Sequence, residues 1–127
     1  MLINIPVSLG ELVDKISILI VKKKKINDQN KINLIKKELT LLEEVLFKKI
    51  QKEKIDNYLK ELIDINLKLW IIEDDLRELE RKKQFDQNFI KLARSVYFTN
   101  DNRAQIKLEI NKGFGSELVE VKSYEKY

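Results

Sequence analysis

From Ile55 to Leu79 an apolar side chain recurs at every third or fourth position: Ile55, Tyr58, Leu62, Ile65, Leu69, Ile72, Leu76 and Leu79. Only an α-helix puts such a series on one line, and alternating threes and fours describe a seam packed along its whole length. Neither proline nor glycine interrupts it, so a helix is expected over 55–83. At 1.5 Å per residue its length is about 40 Å.

A shorter stripe precedes it: Ile32, Ile35, Leu39, Leu42 and Leu46, which predicts a helix over 30–50. No strong breaker separates the two, but their phases differ. Steps of about 3.5 residues carry the first stripe to positions near 53 and 56–57, whereas the second starts at 55 and 58. Half a turn of mismatch predicts a break in QKEKID (51–56), with Asp56 as a candidate cap.

Ser8, with Glu11 three residues on, reads as a capping box, opening a helix over 9–26. Its inward residues are expected to be Leu12, Ile16 and Leu19, broadened by Val13 and Ile20, and INDQN (26–30) ends it. A fourth helix starts after QFDQN (84–88), capped by Asp86 or Asn88. It runs to Lys112, where Gly113 and Gly115 can take the left-handed backbone that ends helices. LINIPV (2–7) alternates like a short extended arm, and the tail 116–127 also reads as extended. The expected fold is therefore all-α: a single domain over 1–127, an antiparallel bundle of about four helices with a long central hairpin and short extended termini. A 43% apolar content with one proline and three glycines agrees.

An unbroken seam of that length would outrun its neighbours in a monomer of this size. The expectation is accordingly a homo-oligomer, with a dimer favoured.

Cysteine and histidine are absent. This excludes zinc sites built on them, Ser-His and Cys-His catalysis, and Glu-x-x-His di-iron centres. No metal or cofactor is expected. The opening residues have neither the basic nor the apolar region of a signal peptide, and no apolar run is long enough to span a bilayer. The expectation is a cytoplasmic protein with no membrane partner. A net charge of +4 and the run Lys22–Lys25 invite a nucleic-acid reading. A chain this rich in lysine, isoleucine and asparagine carries the mark of AT-rich coding, however, and the run falls at a helix C-terminus, where cations are favoured. Nucleic acid is not expected as a partner.

That bias makes arginine informative. Of 25 basic residues four are arginine, Arg77, Arg81, Arg94 and Arg103, and all lie between 77 and 103. Where lysine supplies generic charge, arginine marks positions that need a planar, forked donor.

The fourth helix also breaks its own pattern. Thr99, Asn100 and Arg103 fall on the stripe set by Phe89, Leu92 and Val96, where apolar side chains belong. Tyr97, Asn100, Arg103, Lys107 and Asn111 stack at helical intervals. On the third helix Asn66, Glu73 and Arg77, with Trp70 among them, share a face beside the seam. Packed together, the two sets would form a polar layer, with a Glu73–Arg103 or Glu73–Arg77 pair at its centre. Two functions follow. In one, the layer fixes register in a non-enzymatic assembly or interaction module. In the other, Glu73, Arg77, Arg94, Tyr97, Asn100, Arg103 and Lys107 bind a small anionic ligand, a carboxylate or phosphate. Glu73 would be the general acid or base if that site is catalytic.

Two helical enzyme templates fit poorly. Glu43, Glu44, Glu73, Asp74 and Asp75 lack the Glu-x-x-Glu and Glu-x-x-Asp spacing of the all-α nucleotide pyrophosphohydrolases. The residue types resemble those of helical chorismate mutases, but the first helix has Asp14 and Lys15 where that family places arginine.

PVSLGELVDKISIL (6–19), LWIIEDDLRELE (69–80), FIKLARSVYFTNDNRAQIKLEIN (89–111) and GSELVEVKSY (115–124) resemble a bacterial family known only as a domain of unknown function. The resemblance covers most of the chain, most weakly over 27–60. It implies that Arg94, Tyr97, Asn100, Asp101, Arg103 and the segment Ser116–Tyr124 belong to the family pattern, and it implies no activity.

Overall fold

The computed structural model describes residues 1–127 as four helices: α1 (Leu9–Lys25), α2 (Gln29–Lys49), α3 (Lys52–Arg81) and α4 (Gln87–Gly113). Successive helices run antiparallel, and there are no strands. The hub is α1, which packs against all three others, while α3 and α4 form the longest hairpin. No helix is long and apolar enough to cross a membrane.

The boundaries follow local chemistry. Ser8 Oγ accepts the Glu11 N–H, Asp28 caps α2 through the Lys31 N–H, and Asp86 caps α4 through the Phe89 N–H. The α2–α3 break falls where the phase mismatch requires one, but slightly earlier than expected. Ile50 and Gln51 are extended, α3 begins at Lys52, and no side chain caps it. Asp56 lies inside the helix and is no cap.

The other two helix ends share one device. Ser116 donates its N–H to Asn111 C=O across Gly115, whose φ is +66°, and Gln84 donates to Leu79 C=O across Lys83, whose φ is +53°. Both are left-handed terminations in which a late N–H reaches back over the last turn. Glycine takes that backbone freely, and lysine does so at a cost.

The core gathers Val13, Ile16 and Leu19 of α1, Ile35, Leu39 and Leu46 of α2, Ile55 and Leu62 of α3, and Ile110 of α4. The long seam is thus met within one chain. Ile55, Leu62, Ile72 and Leu79 are buried, and Tyr58, Ile65, Leu69 and Leu76 are half-buried. Apolar exposure lies elsewhere, on Leu2, Ile3, Ile5 and Val7 of the N-terminal arm, which runs free of the bundle, and on Leu34, Leu41 and Val45 of α2.

Candidate functional site

Because α1 touches three neighbours, one apolar stripe cannot serve it. Gly10, Val13, Asp14, Ser17 and Val21 form a second buried line beside Ile16 and Leu19. At its centre is Asp14, with no solvent exposure. Arg103 of α4 donates to both of its carboxylate oxygens, Nε to Oδ1 at 2.9 Å and Nη2 to Oδ2 at 2.5 Å. Asn66 Nδ2 of α3 donates to Asp14 Oδ1 at 3.0 Å and to Ser17 Oγ at 2.7 Å, and Ser17 Oγ donates to the Asp14 carbonyl. Of the polar positions on the α4 stripe, Arg103 is therefore answered from α1, and Asn100 from Arg103 itself. The hydrogen bonds to Asp14 hold the Arg103 guanidinium above its ordinary range, against the opposing effect of burial.

One turn along α4, the Lys107 ammonium lies 2.7 Å from Glu11, 2.8 Å from Glu120 and 3.8 Å from Asp14. Burial pulls its affinity for a proton down. The hydrogen bonds to Glu11 and Glu120, with the charge of Asp14, outweigh that and raise it. Glu11 is turned toward Lys107, so the capping box is made in one direction only, by Ser8. A turn further, Asn111 Oδ1 accepts the Gly10 N–H at 2.7 Å, and Ser116 Oγ accepts the Leu9 N–H at 3.0 Å. The first N–H groups of α1, an anion site in other contexts, are all taken by the chain itself. This close approach needs a glycine, since a Cβ at position 10 would lie 2.5 Å from the Lys107 carbonyl oxygen.

Two clefts flank the layer. The smaller, about 500 Å³, lies between α1, α3 and α4, with Leu69, Trp70, Glu73, Arg77, Asn100 and Arg103 in its wall. The larger, about 1280 Å³, runs between α4 and the tail, past Tyr97, Asn100, Arg103, Lys107, Glu120 and Tyr124. Asn100 and Arg103 line both. The tail folds back over α4, and its last residue is latched there. Tyr127 donates its hydroxyl to Asp101, which pushes the phenol up to about 12, and its ring meets the edges of Tyr97 and Phe98.

The structure brings six of the seven expected residues to these clefts, and of the two expected pairs it makes one. Arg103 meets Asp14, and Glu73 pairs with Arg77 at 3.6 Å on the exposed rim. Glu73 neither reaches Arg103 nor enters the buried layer. Tyr97 is exposed on the tail side. Arg94 stands apart, over the Phe98 ring at 5.9 Å. Sequence reasoning missed Asp14, Glu11 and Glu120 as partners. The line Gly10-Asp14-Ser17-Val21, at steps of four, three and four, was the signal that could have found Asp14.

The fold and its layer define an all-α bundle with a buried carboxylate–guanidinium pair between two clefts. No family model matches the chain, nor does any curated protein or solved structure.

Proposed function

We propose that this protein binds a small anionic ligand, a carboxylate or phosphate, on the outward edge of Arg103. The supporting observation is how that side chain is held. Nε and Nη2 are committed to Asp14, while Nη1 faces the Asn100 side-chain oxygen at 3.4 Å, a long contact, and the residue lines both clefts. A guanidinium fixed along one side and open along the other is a preorganised donor, and little entropy is lost when a ligand meets it. Asn100 is in contact with it, Tyr97 lines the same cleft as a further hydrogen-bonding group, and bundles commonly place ligand sites between helices.

Asn100→Ala and Tyr97→Phe remove cleft groups without touching the Asp14 pair. Calorimetric titration with a series of carboxylates and phosphates should show saturable binding that weakens about tenfold for Asn100→Ala, the loss of one charge-assisted hydrogen bond. Unchanged binding in both variants would contradict the reading.

The free N-terminal arm favours a second reading, an assembly module in which Leu2, Ile3 and Ile5 pack on another copy. Sedimentation of the full chain and of a variant lacking residues 1–7 tests it. A dimer that becomes a monomer on truncation supports that reading, and a monomer in both cases removes it.

A further inference from the structure

The wall of the larger cleft holds a cation, Lys107, whose side chain is only 9% exposed. Two of its carboxylate neighbours, Glu11 and Asp14, belong to α1 and are placed by the fold. The third, Glu120, arrives on the tail, which has no regular secondary structure and is exposed at every position from 121 to 127. Charge balance does not require it. Glu11 and Asp14 already match Arg103 and Lys107, and Glu120 brings a counterion of its own, Lys122 at 3.3 Å. The tail thus adds one carboxylate at Lys107, on the side of the cation that Glu11 and Asp14 leave open to the tail. The two cations are adjacent, since Arg103 Nη2 and Lys107 Nζ both approach the same oxygen of Asp14, at 2.5 and 3.8 Å.

We propose that Lys107 Nζ and the open edge of Arg103 form a receptor for an external oxyanion, and that Glu120 occupies it as the chain's own surrogate. The inference rests on the binding reading above and adds to it the identity of the group that the ligand must displace. An incoming carboxylate or phosphate takes the Lys107 N–H now given to Glu120. The tail is then held only by its ends: Ser116, which accepts from Leu9 N–H and donates to Leu118 C=O, and the Tyr127 latch on Asp101. Ligand occupancy is thereby converted into release of residues 117–126, a change a partner could detect. The carboxyl of Glu120 is held below its usual range chiefly by the hydrogen bond from Lys107, so the surrogate stays charged at neutral pH.

The test uses the full chain and Glu120→Gln, which alters an unstructured segment and leaves the four helices intact by circular dichroism. Sodium acetate and inorganic phosphate are titrated against sodium chloride at equal ionic strength. Binding is followed by calorimetry. Tail release is followed by the rate of tryptic cleavage after Lys122 and Lys126, read as intact mass. The expected result is anion-dependent release in the natural sequence beyond the chloride control. In Glu120→Gln, release should occur without anion and affinity should rise at least threefold; acetate or phosphate as the stronger agent identifies the anion class. Binding without tail release, or with affinity unaltered in Glu120→Gln, overturns the surrogate role while leaving the binding reading in place. Absence of any binding overturns both.

Discussion

Arg103→Leu is the most informative single change to the layer. Asp14 is wholly buried and accepts three side-chain hydrogen bonds, two of them from Arg103. Leucine would leave that carboxylate with Asn66 and a lysine at 3.8 Å. Removing one member of a buried ion pair typically costs about 3–5 kcal/mol, because the remaining charge has lost its partner and cannot reach water. The Arg103 side chain is 26% exposed and Lys107 can move closer, which places the expected loss at the lower end, about 3 kcal/mol. For a domain of this size that corresponds to a fall in melting temperature of about 10 °C. Replacing both partners, Asp14→Leu with Arg103→Leu, should return stability to within about 1 kcal/mol of the natural sequence, since apolar replacements of buried pairs are often neutral; Asn66 keeps Ser17 as its acceptor. Urea unfolding followed by circular dichroism measures all three proteins. A single-variant loss under about 0.5 kcal/mol, or a double variant no better than the single, would refute the assignment of the α4 polar stripe to Asp14.

Gly10→Ala should destabilise by about 1–3 kcal/mol, because its Cβ meets a backbone carbonyl on α4 that cannot rotate away; a stability equal to the natural sequence in urea unfolding would mean the helices part easily. Lys83→Gly should stabilise by about 1 kcal/mol in the same assay by relieving a left-handed lysine, and a loss would show that the lysine side chain matters there. The Tyr127 phenol, raised to about 12, favours the protonated form in the folded chain. Its contribution is complete below pH 10 and disappears as pH rises through 12, so phenolate absorbance should show one late-titrating tyrosine that Tyr127→Phe abolishes. The Glu120 carboxyl is shifted the other way, below its ordinary 4.5. Its hold on the tail should be complete above that pH and fail as pH falls further, seen as peptic cleavage within 117–126 that quickens, relative to the helices, as pH is lowered; a ratio that stays constant would contradict the ion pair.

The fold was legible because periodicity and capping agree in this chain. Ser8, the α2 and α3 stripes and Gly115 after α4 each act locally, so their effects can be read without knowing what lies opposite; Gly113, also expected to end the helix, is its last helical residue. The phase mismatch located the α2–α3 break, though not its residues, since Ile50 and Gln51 carry no turn signature and Asp56 was a false cap. The site was half legible. Thr99, Asn100 and Arg103 stood out as polar residues on an apolar stripe, Lys107 stacked with them at helical intervals, and Asn66 was placed in the layer. Their partner was misassigned because α1 was given a single inward face. A hub helix has two, and Asp14 sits on the second. The role of Glu120 depends on how a tail without regular structure folds back over α4, which no periodicity encodes. The length of the seam is not by itself a sign of a second subunit, because α1 and α4 of the same chain pack along α3.

An anion bound by this protein meets the outward edge of Arg103, beside the long contact to Asn100. Side-chain nitrogen resonances of Arg103 and Asn100, followed by NMR as inorganic phosphate is added at constant ionic strength, test this directly. Saturable shifts at both residues, at concentrations that leave Lys22–Lys25 undisturbed, are the predicted result. Shifts confined to the lysine run, with Arg103 and Asn100 unmoved, would contradict it.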